Sequence, residues 1–137
     1  MSNRLHKVGV LLVDDNADSL ELLKMCLEME GAEVRTAACA RDAYAVFEHW
    51  VPDALVSDLG LPDEHGCTML ETIRERFNWR RCGAIALTGH TDAATRTSAE
   101  RAGFDRYVVK PVSLAELTAT VAALAASDQG SAEQPSN

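Results

Sequence analysis

Apolar runs and amphipathic segments alternate along this chain. Residues 8–13 (VGVLLV) are apolar at nearly every position, which is typical of a strand buried on both faces. Four later segments, bounded by turn residues, have the length and composition of short strands. These predicted strands are residues 33–37, 54–58, 84–88 and 106–109.

Apolar residues at helical spacing follow the predicted strands. After the first strand, Leu20, Leu23 and Leu27 form one stripe, and Gly31 lies where a helix C-terminus favours glycine. The segment 91–102 is helical in composition but has no large apolar residue, so we expect it to dock weakly. The stripes of the second, third and fifth helices are Ala43, Val46, Phe47 and Trp50; Met69, Leu70, Ile73 and Phe77; and Leu114, Leu117, Val121 and Leu124.

Five strand–helix units in alternation predict an α/β fold with a parallel sheet covered by helices on both faces. For five units, the leading candidate is the flavodoxin-like, doubly wound strand order 2-1-3-4-5. We expect a single domain over residues 1–126, because no repeat or linker divides the chain. Residues 127–137 (SDQGSAEQPSN) lack hydrophobic periodicity, which predicts a disordered tail.

Composition excludes several functional classes. The chain of 137 residues is 47% hydrophobic and 25% charged, with a net charge of −8. No basic stripe suits a nucleic acid, so direct nucleic-acid binding is not expected. No apolar run approaches the ~20 residues of a membrane span, and the N-terminus has no secretory signal pattern. Four scattered cysteines without a C-x-x-C pair indicate reduced thiols, and we expect a cytoplasmic location.

Chemically reactive residues follow four of the five predicted strands. The first ends in Asp14 and Asp15, the third in Asp58, the fourth in Thr88, and the fifth in Lys110. In the order 2-1-3-4-5 these four strands are neighbours, and open α/β sheets place their sites at the carboxyl ends of the strands. The sequence therefore predicts one site made of three carboxylates, a hydroxyl and an ammonium.

Three carboxylates at such close range repel one another unless a cation joins them, and one lysine cannot balance all three charges. Carboxylate oxygens with open coordination positions suit Mg²⁺, which retains water and accepts a phosphate oxygen. With the metal, Lys110 and Thr88, Asp58 has the surroundings for accepting a phosphoryl group by in-line attack. Gly60 and Gly89 lack a Cβ, so their backbone N–H groups are accessible to phosphate oxygens.

Each of these residues has an ordinary structural role when it is taken alone. Asp14 and Asp15 could cap a helix or favour its dipole, and Asp58 could be a turn residue before glycine and proline. Lys110 before a proline is usually a surface residue. The joint placement of these residues on adjacent strand ends favours the functional interpretation.

The motifs LLVDD, VSDLGLPDEHG, AIALTGH and GFDRYVVKPV together resemble the receiver domain of two-component response regulators, over about residues 7–126. The resemblance implies that Asp58 is phosphorylated by a sensor histidine kinase or a histidine phosphotransfer protein. It makes Asp15 and Asp58 direct Mg²⁺ ligands, together with the backbone carbonyl of Gly60. Asp14 would act on the metal largely through water.

The same resemblance assigns switching roles. Lys110 would bind the phosphoryl group, the Thr88 hydroxyl would move toward it, and Tyr107 would be the switch aromatic. The Lys110–Pro111 bond is expected to be cis. The face formed by helix four, strand five and helix five would dimerise on phosphorylation or meet a downstream protein target. His90 is expected to influence the phosphoryl lifetime, with a solvated loop histidine as the alternative.

Other functional interpretations remain for comparison. A non-phosphorylated pseudo-receiver acting as an interaction module keeps the fold but normally lacks part of the acid, threonine and lysine set. A haloacid-dehalogenase-type phosphatase needs a second aspartate where Gly60 stands, and no G-x-G-x-x-G motif supports dinucleotide binding. A receiver is a regulatory phosphoacceptor that promotes its own phosphorylation and dephosphorylation. We expect a free-standing regulator, a phosphorelay intermediate or the receiver of a hybrid kinase, with no effector after the last helix.

Overall fold

The computed structural model describes residues 4–81, 83–89 and 92–133, with side chains up to residue 126. Its strands are β1 (Gly9–Val13), β2 (Glu33–Ala37), β3 (Ala54–Asp58), β4 (Ala84–Thr88) and β5 (Arg106–Val109). Its helices are α1 (Ala17–Met29), α2 (Ala40–Phe47), α3 (Gly66–Arg76), α4 (Ala93–Ala102) and α5 (Leu114–Glu133).

The five strands form one parallel sheet in the order β2-β1-β3-β4-β5, which confirms the predicted topology. The register aligns the carboxyl ends of the strands. Val13 at the end of β1 lies beside Ser57 of β3. Thr88 at the end of β4 lies beside Val109 of β5. Residues that directly follow these strands therefore meet at one edge of the sheet.

Alternate residues of each strand face two different helical layers, as a period of two requires. In β1, Val10 and Leu12 belong to a core shared with α1 and α5, whose buried members include Leu27 and Val121. Leu11 and Val13 belong to the opposite core, which α2, α3 and α4 cover. Because both faces are covered, the strand is apolar at consecutive positions.

The helix ends follow local chemistry. Asn16 caps α1, and its Oδ1 accepts a hydrogen bond from the Ser19 N–H at 2.9 Å. The Ser113 hydroxyl accepts from the Glu116 N–H at 3.2 Å and so caps the start of α5. Gly103 ends α4 with φ of 110°, a left-handed conformation that favours glycine.

Helix α4 buries little surface, in agreement with its sequence. Only the small side chains of Ala99 and Ala102 are buried in this helix. Each alanine contributes far less apolar area than a leucine would, so α4 gains less free energy from docking than the other helices.

Two element ends differ from the sequence-based expectation. The backbone of α5 remains helical over residues 127–133, beyond the predicted start of a disordered tail. Residues 134–137 of that predicted tail lie outside the described residues. Helix α2 ends at Phe47, so Trp50 packs from the loop that follows it rather than from the helix.

Candidate phosphoacceptor and metal site

Three carboxylates lie together at the carboxyl edge of the sheet. Asp14 and Asp15 directly follow β1, and Asp58 is the last residue of the neighbouring β3. One oxygen from each of the three side chains lies within 4.8 Å of the others. The strand order thus brings together residues that are more than forty positions apart in the sequence.

The three carboxylates have different surroundings. Asp14 is buried, with 2% of its surface exposed, whereas Asp58 is half-buried and Asp15 is exposed. Asp14 Oδ1 accepts a hydrogen bond from the Asn16 N–H at 3.0 Å. Asp14 Oδ2 is buried and has no hydrogen-bond partner within the described part of the chain. A buried carboxylate oxygen without a hydrogen-bond donor is costly; the Lys110 ammonium at 3.6 Å offsets part of that cost, and a metal ion bound beside the oxygen would offset more.

Lys110 provides a positive charge to this cluster from the end of β5. Its Nζ lies 2.9 Å from Asp58 Oδ2 and 3.6 Å from Asp14 Oδ2. Burial by itself lowers the pKa of the Lys110 ammonium. The hydrogen bond and charge of Asp58, together with Asp14, outweigh that effect and raise the pKa above its usual value. The Lys110–Pro111 peptide bond is cis, as expected.

Thr88 and two glycines complete the same edge. Thr88 ends β4 and is 2% exposed. A Cβ added at Gly60 or Gly89 would meet no atom within 4 Å, so the space beside both backbones is open. The Gly60 N–H donates to Asp58 Oδ1 at 3.1 Å, which places this backbone donor at the carboxylate itself.

Tyr107 lies on β5, three residues before Lys110, and is half-buried. The Arg96 guanidinium of α4 lies 4.9 Å from the centre of the Tyr107 ring, within the range of a cation–π contact. The two side chains line a surface pocket between α4 and β5. The sequence did not predict this pairing, because the two residues belong to different elements. His90 lies outside the described residues.

The loop between β3 and α3 has contacts that the sequence did not predict. Asp63 accepts hydrogen bonds from the backbone N–H groups of Ala40 and Arg41 at the start of α2, each at 2.9 Å. These hydrogen bonds lower the pKa of the Asp63 carboxyl. Glu64 accepts from the Tyr44 hydroxyl. The sequence offers a weak local hint of the Asp63 contact. Cys39, the residue before α2, is a poor N-cap because its side chain has no oxygen, so the first N–H groups of the helix need another acceptor.

The donor set fits a hard divalent cation. Carboxylate oxygens, one of them buried without a donor, converge within 4.8 Å. Mg²⁺ and Ca²⁺ prefer oxygen ligands of this kind, and an exposed member such as Asp15 leaves room for water in the coordination sphere. The acidic cluster is therefore compatible with a divalent metal site.

The strand order and the acidic residues at the carboxyl edge place this protein among the α/β proteins whose functional site lies at the ends of parallel strands. The model of the response regulator receiver domain family matches residues 10–122. The chain belongs to this family, and Asp14, Asp15 and Asp58 form the acidic cluster typical of its phosphoacceptor site. Receiver domains are regulatory modules of two-component systems.

Similar proteins agree with this assignment. The chain is 38% identical over 113 residues to an uncharacterized 14.6 kDa protein of Leptolyngbya boryana, covering 82% of this chain and 86% of that protein. It is 36% identical over 126 residues to the transcriptional regulatory protein TrcR of Mycobacterium tuberculosis, covering 88% of this chain and 48% of TrcR. It therefore spans most of the first relative but only about half of the second.

A solved structure supports the same fold. The CheY-like receiver domain protein of Methanospirillum hungatei superposes with a TM-score of 0.84 at 28% identity, covering 91% of this chain and 98% of that one. Among the described residues, no helix is both long and apolar enough to span a membrane. The cysteines that the structure describes, Cys26, Cys39 and Cys67, form no disulfide, and Cys82 lies outside the described residues.

Proposed function

We propose that this chain is a phosphoacceptor whose Asp58 receives a phosphoryl group from the phosphohistidine of a sensor histidine kinase or a histidine phosphotransfer protein, with Mg²⁺ as cofactor. The observation that carries the proposal is the contact of Lys110 Nζ with Asp58 Oδ2 at 2.9 Å beside two further carboxylates. An ion pair with Lys110 needs only one carboxylate, so Asp14 and Asp15 are not explained by it. The additional acids support a role that requires a metal ion.

The proposed reaction is a simple displacement at phosphorus. An Asp58 carboxylate oxygen attacks, forming a phosphorus–oxygen bond while the phosphorus–nitrogen bond to the donor imidazole breaks and that nitrogen keeps the electron pair. Bound Mg²⁺ would neutralise charge on the phosphoryl oxygens. Asp15, Asp58 and the Gly60 carbonyl are the proposed direct ligands, and Asp14 would act through water. The Lys110 ammonium and the N–H groups of Gly60 and Gly89 would bind the phosphoryl oxygens.

The proposed output is a rearrangement around α4 and β5. The Thr88 hydroxyl would turn toward the phosphoryl group, and the Tyr107 side chain would then move into the space that the hydroxyl vacates. The small buried area of α4 supports this proposal, since elements with few buried apolar contacts change conformation at low cost. The face of α4, β5 and α5 would then bind a downstream protein target or a second copy of this chain.

The decisive experiment is phosphorylation by a small donor. The protein is incubated with acetyl phosphate and Mg²⁺, and its intact mass is measured. We expect a labile adduct of one phosphoryl group on the wild type and none on Asp58→Asn, whose amide is a poor nucleophile. No adduct on the wild type would favour the pseudo-receiver, and an undiminished adduct on Asp58→Asn would refute Asp58 as the acceptor.

A further inference from the structure

Asp63 connects the loop that follows the phosphoacceptor to a neighbouring helix. Its two carboxylate oxygens accept separately from the Ala40 and Arg41 N–H groups, which are the first two of α2. The helix supplies only a weak cap of its own, because Cys39 Sγ accepts from the Asp42 N–H at 3.5 Å. A carboxylate at this end also interacts favourably with the helix dipole.

A second contact reinforces the first. The Tyr44 hydroxyl, one turn along α2 from Ala40, donates to Glu64 Oε1 at 2.5 Å. Burial, together with the hydrogen bond to Glu64, raises the pKa of Tyr44 to about 12, so its hydroxyl remains a donor at neutral pH. Two successive loop residues are thereby fixed to one helix.

That helix is itself firmly attached to the domain. Ala40 and Ala43 are both fully buried in the core that faces α2, α3 and α4. The Asp14 N–H donates to the carbonyl of Ala37, just before α2, at 3.1 Å. The start of α2 and the acidic cluster are consequently connected at the same edge of the sheet.

The loop is also closed upon itself at its base. The Gly66 N–H donates to the Leu59 carbonyl at 2.7 Å, and Gly60 forms an isolated β-bridge with His65. Gly66 packs so tightly that a Cβ there would lie 2.7 Å from the Asp58 carbonyl oxygen. The two ends of the loop are therefore closely packed against each other, and the contacts of Asp63 and Glu64 with α2 fix its middle.

We propose that Asp63, with the Tyr44–Glu64 hydrogen bond in support, is a positioning residue that holds the Gly60 carbonyl in place for the metal. This inference rests on the proposed function, in which that carbonyl is a ligand. A backbone carbonyl has no side-chain torsion to adjust, so its direction depends on the conformation of the whole loop. Outer groups that orient metal ligands in this way typically change metal affinity by about 10–100-fold when removed.

The test measures Mg²⁺ affinity separately from phosphoryl transfer. Mg²⁺ is titrated by calorimetry into the wild type, Asp63→Ala and Asp63→Asn, and the rate of Asp58 phosphorylation by acetyl phosphate is measured over a range of Mg²⁺. Asp63→Ala should weaken Mg²⁺ binding by about tenfold. Its phosphorylation rate should approach that of the wild type at saturating Mg²⁺. The Mg²⁺ affinity of Asp63→Asn, which keeps one acceptor oxygen, should lie between those of the wild type and Asp63→Ala.

Asp53→Ala is the matched control. Asp53 also accepts a backbone hydrogen bond, from the Gly9 N–H at 2.8 Å, and pairs with Arg81 at 3.0 Å. It precedes β3 at the opposite edge of the sheet, so its loss should lower stability without changing Mg²⁺ affinity. Should Asp53→Ala weaken Mg²⁺ binding as much as Asp63→Ala does, the effect is one of general stability and the inference is wrong.

The remaining outcomes are also decisive. Wild-type Mg²⁺ affinity in a folded Asp63→Ala variant overturns the inference. If that variant does not fold, Tyr44→Phe decides, because it removes only the hydroxyl that binds Glu64 and should still weaken Mg²⁺ binding. A wild type that binds Mg²⁺ but forms no Asp58 adduct refutes the proposed function while calorimetry still tests Asp63. A wild type that binds no Mg²⁺ overturns both.

Discussion

Neutralising Asp15 should stabilise the metal-free protein and abolish most of its stabilisation by Mg²⁺. Asp15 is exposed, and one of its oxygens lies within 4.8 Å of oxygens from both Asp14 and Asp58. The substitution Asp15→Asn keeps the shape of the side chain and removes two like-charge interactions. It should therefore relieve repulsion without opening a cavity.

The size of the stabilisation expected from Asp15→Asn follows from Coulomb's law. At 4.8 Å, two unit charges repel by about 0.9 kcal/mol in water and by about 3.5 kcal/mol at an effective dielectric constant near 20. Because Asp15 is exposed, the lower repulsion energy applies to both of its pairs, with Asp14 and with Asp58. The substitution also removes the attraction of Asp15 to Lys110, which offsets part of the gain in stability. A net stabilisation of about 1 kcal/mol remains, which raises Tm by roughly 3–5 °C in a domain of this size.

Thermal unfolding followed by circular dichroism is the assay, in EDTA and in excess MgCl₂. For the wild type, Mg²⁺ at roughly ten times its dissociation constant should stabilise by about 1.4 kcal/mol, and Asp15→Asn should lose most of this gain. Asp18→Asn is the control, because it makes the same charge change in the first turn of α1, outside the cluster. A lower Tm for Asp15→Asn in EDTA, or an unchanged response to Mg²⁺, would refute the reasoning.

Three further predictions concern the surroundings of the site. Gly66→Ala should destabilise the fold by about 1–3 kcal/mol in chemical denaturation because its Cβ would meet backbone at 2.7 Å, while Gly60→Ala, with open space, should change stability little. The raised pKa of Lys110 contributes stability that is fully present below the ordinary lysine pKa of 10.5 and is lost as pH rises through the higher folded-state pKa. The difference in unfolding free energy between wild type and Lys110→Gln should accordingly narrow above pH 10.5, and a constant difference would contradict this. Arg74→Ala should cost about 2–3 kcal/mol in the same denaturation assay, because its guanidinium donates to three backbone carbonyls, and Arg74→Lys should not restore stability since it lacks the planar fork.

Much of the fold could be predicted from local patterns. The four predicted strands after the first coincide with β2 to β5. The central strands β3 and β4 are covered on both faces and are therefore buried at consecutive positions, whereas the edge strands β2 and β5 keep exposed polar residues and are marked mainly by the turn residues at their ends. The order of strands and helices then limited the topology to few alternatives. The edge that carries the site followed from the topology, since parallel strands all end on the same side.

The helical surfaces were harder to predict. The stripe on α1 includes Leu23 and Leu27, which are buried, but Leu22, Met25 and Met29 of the same helix are more than half exposed. Both sets recur at helical spacing, so periodicity alone does not say which one faces the sheet.

The sequence by itself determined the class of the protein, because the motifs at the strand ends depend on short local patterns in a fixed order. Only the tertiary structure decided how the site is supported. The contacts of Asp63 with α2 join residues 22 and 23 positions apart, and Lys110 reaches Asp58 across 52 positions. Such hydrogen bonds depend on the distance and angle between two separate elements, and no spacing within either element encodes them.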